Sequence, residues 1–161
     1  MHGNRRFEPD DGHMTRPKPR PLARQSIVEH LRAEGCDVDF ASADVGHADE
    51  VRRVAEFAVA RLGGIDSWIN CGGVANYARL VDTPEDENQR LFRTNYFGVV
   101  HGCLAALPHL RDAGGALIMV GLIAGDIRSP IMGTYAASKH AVKGYVESLQ
   151  IEVNAEVRRW R

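Results

Sequence analysis

Apolar residues recur at two spacings along this chain, and the switch between them predicts the elements. Ile27, Val28 and Leu31 mark a short amphipathic helix from Ser26 to Glu34, with Gly35 as its C-terminal stop. Val38 and Phe40 then alternate with Asp37 and Asp39, a strand signature that fades through Ala41-Ser42-Ala43. Val51, Val54, Ala55, Ala58 and Leu62 return to helical spacing, and Gly63-Gly64 closes that helix. Ile65 to Asn70 reads as a short strand. Thr83-Pro84-Glu85-Asp86 opens the longest helix: Thr83 can cap it, Pro84 fits its first turn, and the acids suit the positive end of its dipole. Its buried side carries Leu91, Phe92, Tyr96, Val99, Val100, Cys103, Leu104 and Leu107, and Pro108 ends or kinks it. Ala116 to Val120 is an uninterrupted apolar strand, as in a sheet covered on both faces. A last helix follows, with Ala141, Val142, Tyr145, Val146 and Leu149 as its stripe.

Strands alternating with helices of more than ten residues predict right-handed crossovers and a parallel sheet. The expected fold is a three-layer, doubly wound α/β domain whose sheet contains Val38–Ser42, Ile65–Asn70 and Ala116–Val120. Residues 1–21 are polar and proline-punctuated, without periodicity, and read as a flexible tail; residues 22–161 form the domain.

Composition narrows the function. A net charge of −1 with evenly mixed signs gives no nucleic-acid or membrane surface. No apolar run is long enough to cross a bilayer, and no apolar core near Met1 resembles a secretory signal. Cys36, Cys71 and Cys103 are scattered, without metal-ligand spacing, and read as reduced cytoplasmic thiols; no metal site is expected.

The chemistry sits in Gly133-Thr134-Tyr135-Ala136-Ala137-Ser138-Lys139. Tyr135 and Lys139, four residues apart, lie one turn apart on one helix face, where a cation favours phenolate over phenol. Polar motifs follow each predicted strand, at the carboxyl ends where open α/β sheets bind ligands. These are Asp44-Val45, whose aspartate suits an N-cap or a turn, and Asn70-Cys71-Gly72-Gly73, a close-approach turn with or without a ligand. Asn95, inside a helix, needs a polar partner.

In order and spacing these motifs resemble the short-chain dehydrogenase/reductase family, from about Leu22 to about Val153. The resemblance implies a Rossmann-type fold and NAD- or NADP-dependent oxidoreduction of a small alcohol or carbonyl. It assigns Asp44 and Val45 to adenine, Asn70 and Gly73 to the turn beside the cofactor ribose, and Tyr135 to the hydroxyl proton. Lys139 would support Tyr135 and hold the nicotinamide ribose, and Asn95 would distort its helix and help hold a water near Lys139. Leu22-Ala23-Arg24-Gln25 matches the end of the family's second strand, where Arg24 would meet a 2′-phosphate.

Three positions depart from the family. Leu122 stands where it has a serine hydroxyl, with Ser129 and Thr134 as the nearby hydroxyls. Cys71 and Gly72 replace asparagine and alanine. No glycine-rich phosphate turn occurs in the sequence. The resemblance is thus to the middle of the family domain, truncated at both ends. Weak cofactor binding and impaired activity are expected; the alternative is a non-catalytic member serving as a binding or dimerisation partner. A homo-oligomer through the helices at 86–110 and 134–153 is also implied.

Overall fold

The computed structural model describes residues 21–110, 115–120 and 130–159, with side chains from 25 to 154 within those segments. Contacts divide the chain into two compact units, Met1–Phe40 and Ala41–Arg161.

In the first unit, α1 spans Pro21–Ala33. The strand end expected at Leu22–Gln25 is therefore helix. Leu, Ala, Arg and Gln are all good helix formers, and Pro21 stands at the first helical position, where its missing N–H costs nothing. Gly35, at φ 85°, ends the helix as expected, with Cys36 N donating to Leu31 O at 3.0 Å. The strand expected at Val38–Ser42 is not formed. A strand is held by its ladder, and here local side chains take the backbone groups instead: Arg32 Nε donates to Val38 O at 3.1 Å, and Asp39 Oδ1 accepts from Phe40 N at 2.9 Å.

The second unit runs α2 (Ala48–Leu62), β1 (Ser67–Asn70), α3 (Glu85–Phe92), α4 (Gly98–Ala106), β2 (Ala116–Met119) and α5 (Gly133–Arg159). The strands β1 and β2 pair in parallel, Ser67 opposite Ala116 through Asn70 opposite Met119. Ile65 bridges to Leu110 before the ladder, and Val120 N donates to Asn70 O after it, at 2.9 Å. This is the parallel crossover of a Rossmann-type α/β fold. The helix predicted from Thr83 onward is divided: α3, a π turn over Arg93–Phe97, α4, and a 3-10 turn over Leu107–His109 containing Pro108. Thr83 does not cap it. Its hydroxyl donates back to Arg79 O at 2.9 Å, and Pro84 stands at the cap position.

The core lies between α4, α5 and one face of the sheet. Val99, Cys103 and Val142 form its centre, with Tyr96, Leu117, Met119, Tyr145, Val146 and Leu149 packed around them. Small residues let α4 come close: a Cβ at Gly102 would collide with the Asn70 amide. The opposite face of the sheet is open among the described residues, where the paired Ile69 and Ile118 are 58% and 44% exposed.

Candidate functional site

Asn95 sits in the middle of the π turn, where Gly98 N reaches back to Arg93 O. Such a wide turn inserts one extra residue into a helix and re-aims its neighbours. The Asn95 side chain is fully buried. Its Oδ1 accepts from Val74 N at 2.8 Å, while its Nδ2 donates to Val74 O at 2.8 Å and to Ser138 Oγ at 3.1 Å. Ser138, also fully buried, donates its hydroxyl proton to Tyr135 O at 2.7 Å. One amide thus ties the loop after β1 to the π turn and to the first turns of α5.

Lys139 projects from α5 toward the carboxyl end of β2, with Nζ 3.5 Å from Val120 O. The ammonium lies 5.7 Å from the centroid of the Tyr135 ring. A Cβ added at Gly73 would stand 4.0 Å from Nζ and 3.5 Å from Asn95 Oδ1, in ordinary contact with both, so Gly73 lies directly beside them. Burial pushes the Lys139 pKa down, and the Cys71 thiol nearby acts in the opposite direction. The structure therefore gathers Tyr135, Lys139, Asn95 and Gly73. Thr134 is not a spare donor at this site: it is buried, and its hydroxyl donates to Asn88 Oδ1 at 2.6 Å.

A second candidate region is the turn after residue 43. Asp44 Oδ1 accepts from Gly46 N at 2.9 Å, so this aspartate does form a turn, and Asp44 N donates to Glu50 Oε2 at 2.8 Å. Val45, Cys71, Gly72, Gly98 and Val99 line a cavity of about 110 Å³ that also reaches Trp68 and Asn70. The Asn70 side chain is turned into the protein. Its Oδ1 accepts from Trp68 Nε1 at 3.0 Å, and its Nδ2 lies 3.7 Å from Cys103 Sγ. Burial pushes the Cys103 thiol up to about 11. Asn70 thus meets β2 through its main-chain oxygen, while its amide braces α4.

Leu122 and Ser129, and the side chain of Arg24, lie outside the described residues. Sequence reasoning missed Ser138, Val74 and His101, whose Nδ1 lies 2.9 Å from Val45 O. Ser138 left a trace, a hydroxyl residue between Ala137 and Lys139 within a helix. Val74 takes part through its backbone and left none.

Comparison with known proteins decides the family. The short chain dehydrogenase family profile matches residues 18–158. The chain belongs to the short-chain dehydrogenase family. It is 36% identical over 136 residues to the uncharacterized oxidoreductase YxnA of Bacillus subtilis, covering 83% of this chain and 38% of YxnA. Among solved structures, a short chain dehydrogenase/reductase from Burkholderia phymatum in complex with NAD superposes with a TM-score of 0.77 at 31% identity, covering 83% of this chain and 48% of that one. An alcohol dehydrogenase from Thermococcus sibiricus complexed with 5-hydroxy-NADP gives a TM-score of 0.78 at 27% identity, covering 83% and 57%. This short-chain dehydrogenase chain therefore spans well under two thirds of each of these relatives. Among its described residues no helix is long and apolar enough to cross a membrane, and no cluster of metal-ligating side chains occurs.

Proposed function

We propose that this chain carries the proton-transfer end and the adenine wall of a nicotinamide-dependent oxidoreductase acting on a small alcohol or carbonyl. The observation that carries this reading is the position of the Lys139 ammonium. It stands at the carboxyl end of β2, beside the Tyr135 ring and before the side-chain-free Gly73. The bare Gly73 backbone beside Lys139 supports a nucleotide here, as does the cavity walled by Val45, Gly72, Gly98 and Val99, suited to a flat ring. A bound nicotinamide supplies the hydride donor or acceptor. Tyr135 gives its phenolic proton to the carbonyl oxygen in reduction, or takes the hydroxyl proton in oxidation. Lys139 favours the phenolate and donates to a ribose hydroxyl, and Asn95 holds Val74 and the α5 turn in register around them. Asp44 and Val45 receive the adenine edge. The solved relatives hold NAD and 5-hydroxy-NADP.

Leu122 takes the place of a hydroxyl donor in this reading, a loss that costs roughly 10²–10³ in turnover. With no glycine-rich phosphate turn in the sequence, affinity rests on the adenine wall and on Tyr135 and Lys139, so binding is weak. Pairing of two copies would use the exposed Phe97, Leu104 and Ile151 of the π turn, α4 and α5, because Leu91 and Val142 are buried within the protein.

NADPH oxidation with a panel of ketones tests the reading. The 161-residue chain should stay at background, with or without Leu122→Ser. In a chain extended with family-type nucleotide-binding and C-terminal elements, Leu122→Ser should raise turnover by about two orders of magnitude. Tyr135→Phe should then abolish it. Persistence of turnover in Tyr135→Phe would remove this residue from the proton step.

A further inference from the structure

Val45 lines the cavity, and hydrogen bonds fix the turn that carries it. Local ones run from Gly46 N to Asp44 Oδ1, from Asp44 N to Glu50 Oε2 and from His47 N to Asp44 O. Another crosses 56 positions of sequence, where His101 Nδ1 lies 2.9 Å from Val45 O. A carbonyl oxygen can only accept, so the ring nitrogen must donate. For the neutral imidazole this selects the tautomer with its proton on Nδ1 and leaves Nε2 as an acceptor.

The rest of that contact surface is built for close approach. Gly98 precedes His101 by three residues on the same face of α4. A Cβ at Gly98 would stand 2.8 Å from Val45 Cγ2, so the glycine lets Val45 seat against the helix while His101 grips its carbonyl. The Phe97 ring, tilted by 32° at 6.2 Å between centroids, lies beside the imidazole. Val45, Gly98 and Val99 all line the cavity, so a shift of the Val45 backbone changes its width directly.

We propose that His101 is a positioning residue of the nucleotide cleft: as the Nδ1–H tautomer it holds the Val45 carbonyl and sets the wall against which adenine packs. The proposal rests on the nucleotide reading of this cleft. His101 touches neither the reacting atoms nor the ring in this arrangement; it acts through Val45.

The first test needs no ligand. Long-range ¹H–¹⁵N spectra of the uniformly labelled chain at pH 8, above the ordinary histidine range, distinguish the two neutral tautomers. His101, assigned by loss of its signals in His101→Asn, should show a protonated Nδ1 and an unprotonated Nε2; the reverse pattern overturns the proposal. The second test titrates AMP, as an adenine probe, into the native chain, His101→Leu and His101→Asn. Asparagine places an amide N–H near the position of the ring Nδ1–H. Leucine should weaken AMP binding about three- to tenfold, the range of one lost hydrogen bond, and asparagine should restore it to within about twofold. Equal affinity in all three proteins overturns the positioning role while leaving the nucleotide reading intact. No AMP binding by the native chain, at any tautomer, overturns the nucleotide reading and the role with it. Where His101→Asn fails to fold, His101→Gln supplies the assignment, and the tautomer is still read on the native chain.

Discussion

At Asn95 a fully buried amide holds partners 21 and 43 positions away in sequence, and each of its hydrogen-bonding atoms is used. At Asp44 the carboxylate holds a backbone N–H only two positions away, in an exposed turn. These two regions are thus built by different means. Around Asn95 runs a cross-element network whose members cannot be removed singly without leaving a buried polar group unpaired. Around Asp44 lies a local turn, reached from afar by His101 and seated on glycines. The first kind of construction couples a side chain to folding; the second can change at little cost to the fold.

The comparison breaks most sharply at Asn95. Asn95→Leu removes the amide and strands Val74 N and Val74 O, while the Ser138 hydroxyl keeps its bond to Tyr135 O. It should lower stability by about 3 kcal/mol, measured by urea unfolding. A loss similar to that of an exposed turn residue would mean that the network is not coupled to folding.

Cys103 probes the same buried side through pH. Its thiol is raised from 9.0 to about 11 in the folded chain. Above pH 9 the unfolded thiol ionises while the folded one keeps its proton, so folding binds the extra proton and stability falls as pH rises toward 11. The loss is on the order of 2 kcal/mol across that window, and nothing is lost from this group below it. Unfolding midpoints at pH 8 and pH 10.5 should converge in Cys103→Ala. An unchanged pH slope in that variant would assign the effect elsewhere.

Asp44→Ala sharpens the contrast from the other side. The turn loses one exposed hydrogen bond, so stability should fall by about 0.5–1 kcal/mol. AMP affinity should drop about tenfold. A larger effect on folding than on AMP binding would erase the distinction between the two regions.

The sequence made one half of this picture readable. Tyr135, Lys139 and Asn95 could be named because each is an unusual residue for its setting, and helical spacing places Tyr135 beside Lys139. The strands at 65–70 and 116–120 were legible as short apolar runs, with parallel pairing following from the helices between them. Val38–Ser42 misled because alternation records which faces a segment could present, not whether a neighbour is there to complete the ladder. Asn70 shows a different limit: its place at a strand end was legible, but only packing shows that Trp68 and Cys103 take its amide. The helix from Glu85 to Ala106 carries a continuous apolar stripe that gives no sign of a break; the resemblance, which implies that Asn95 distorts its helix, is what pointed to the π turn found at Arg93–Phe97.

The most direct test of the central claim, that Tyr135, Lys139 and Gly73 face a nicotinamide nucleotide, is an amide NMR titration of the native chain with NADPH. Binding should be weak, with fast-exchange shifts concentrated at Val45, Gly72, Gly73, Val74, Tyr135 and Lys139, and the shifts at Gly73 and Tyr135 should vanish in Lys139→Met. Shifts confined to other residues, or unchanged at Gly73 and Tyr135 in Lys139→Met, would contradict the account.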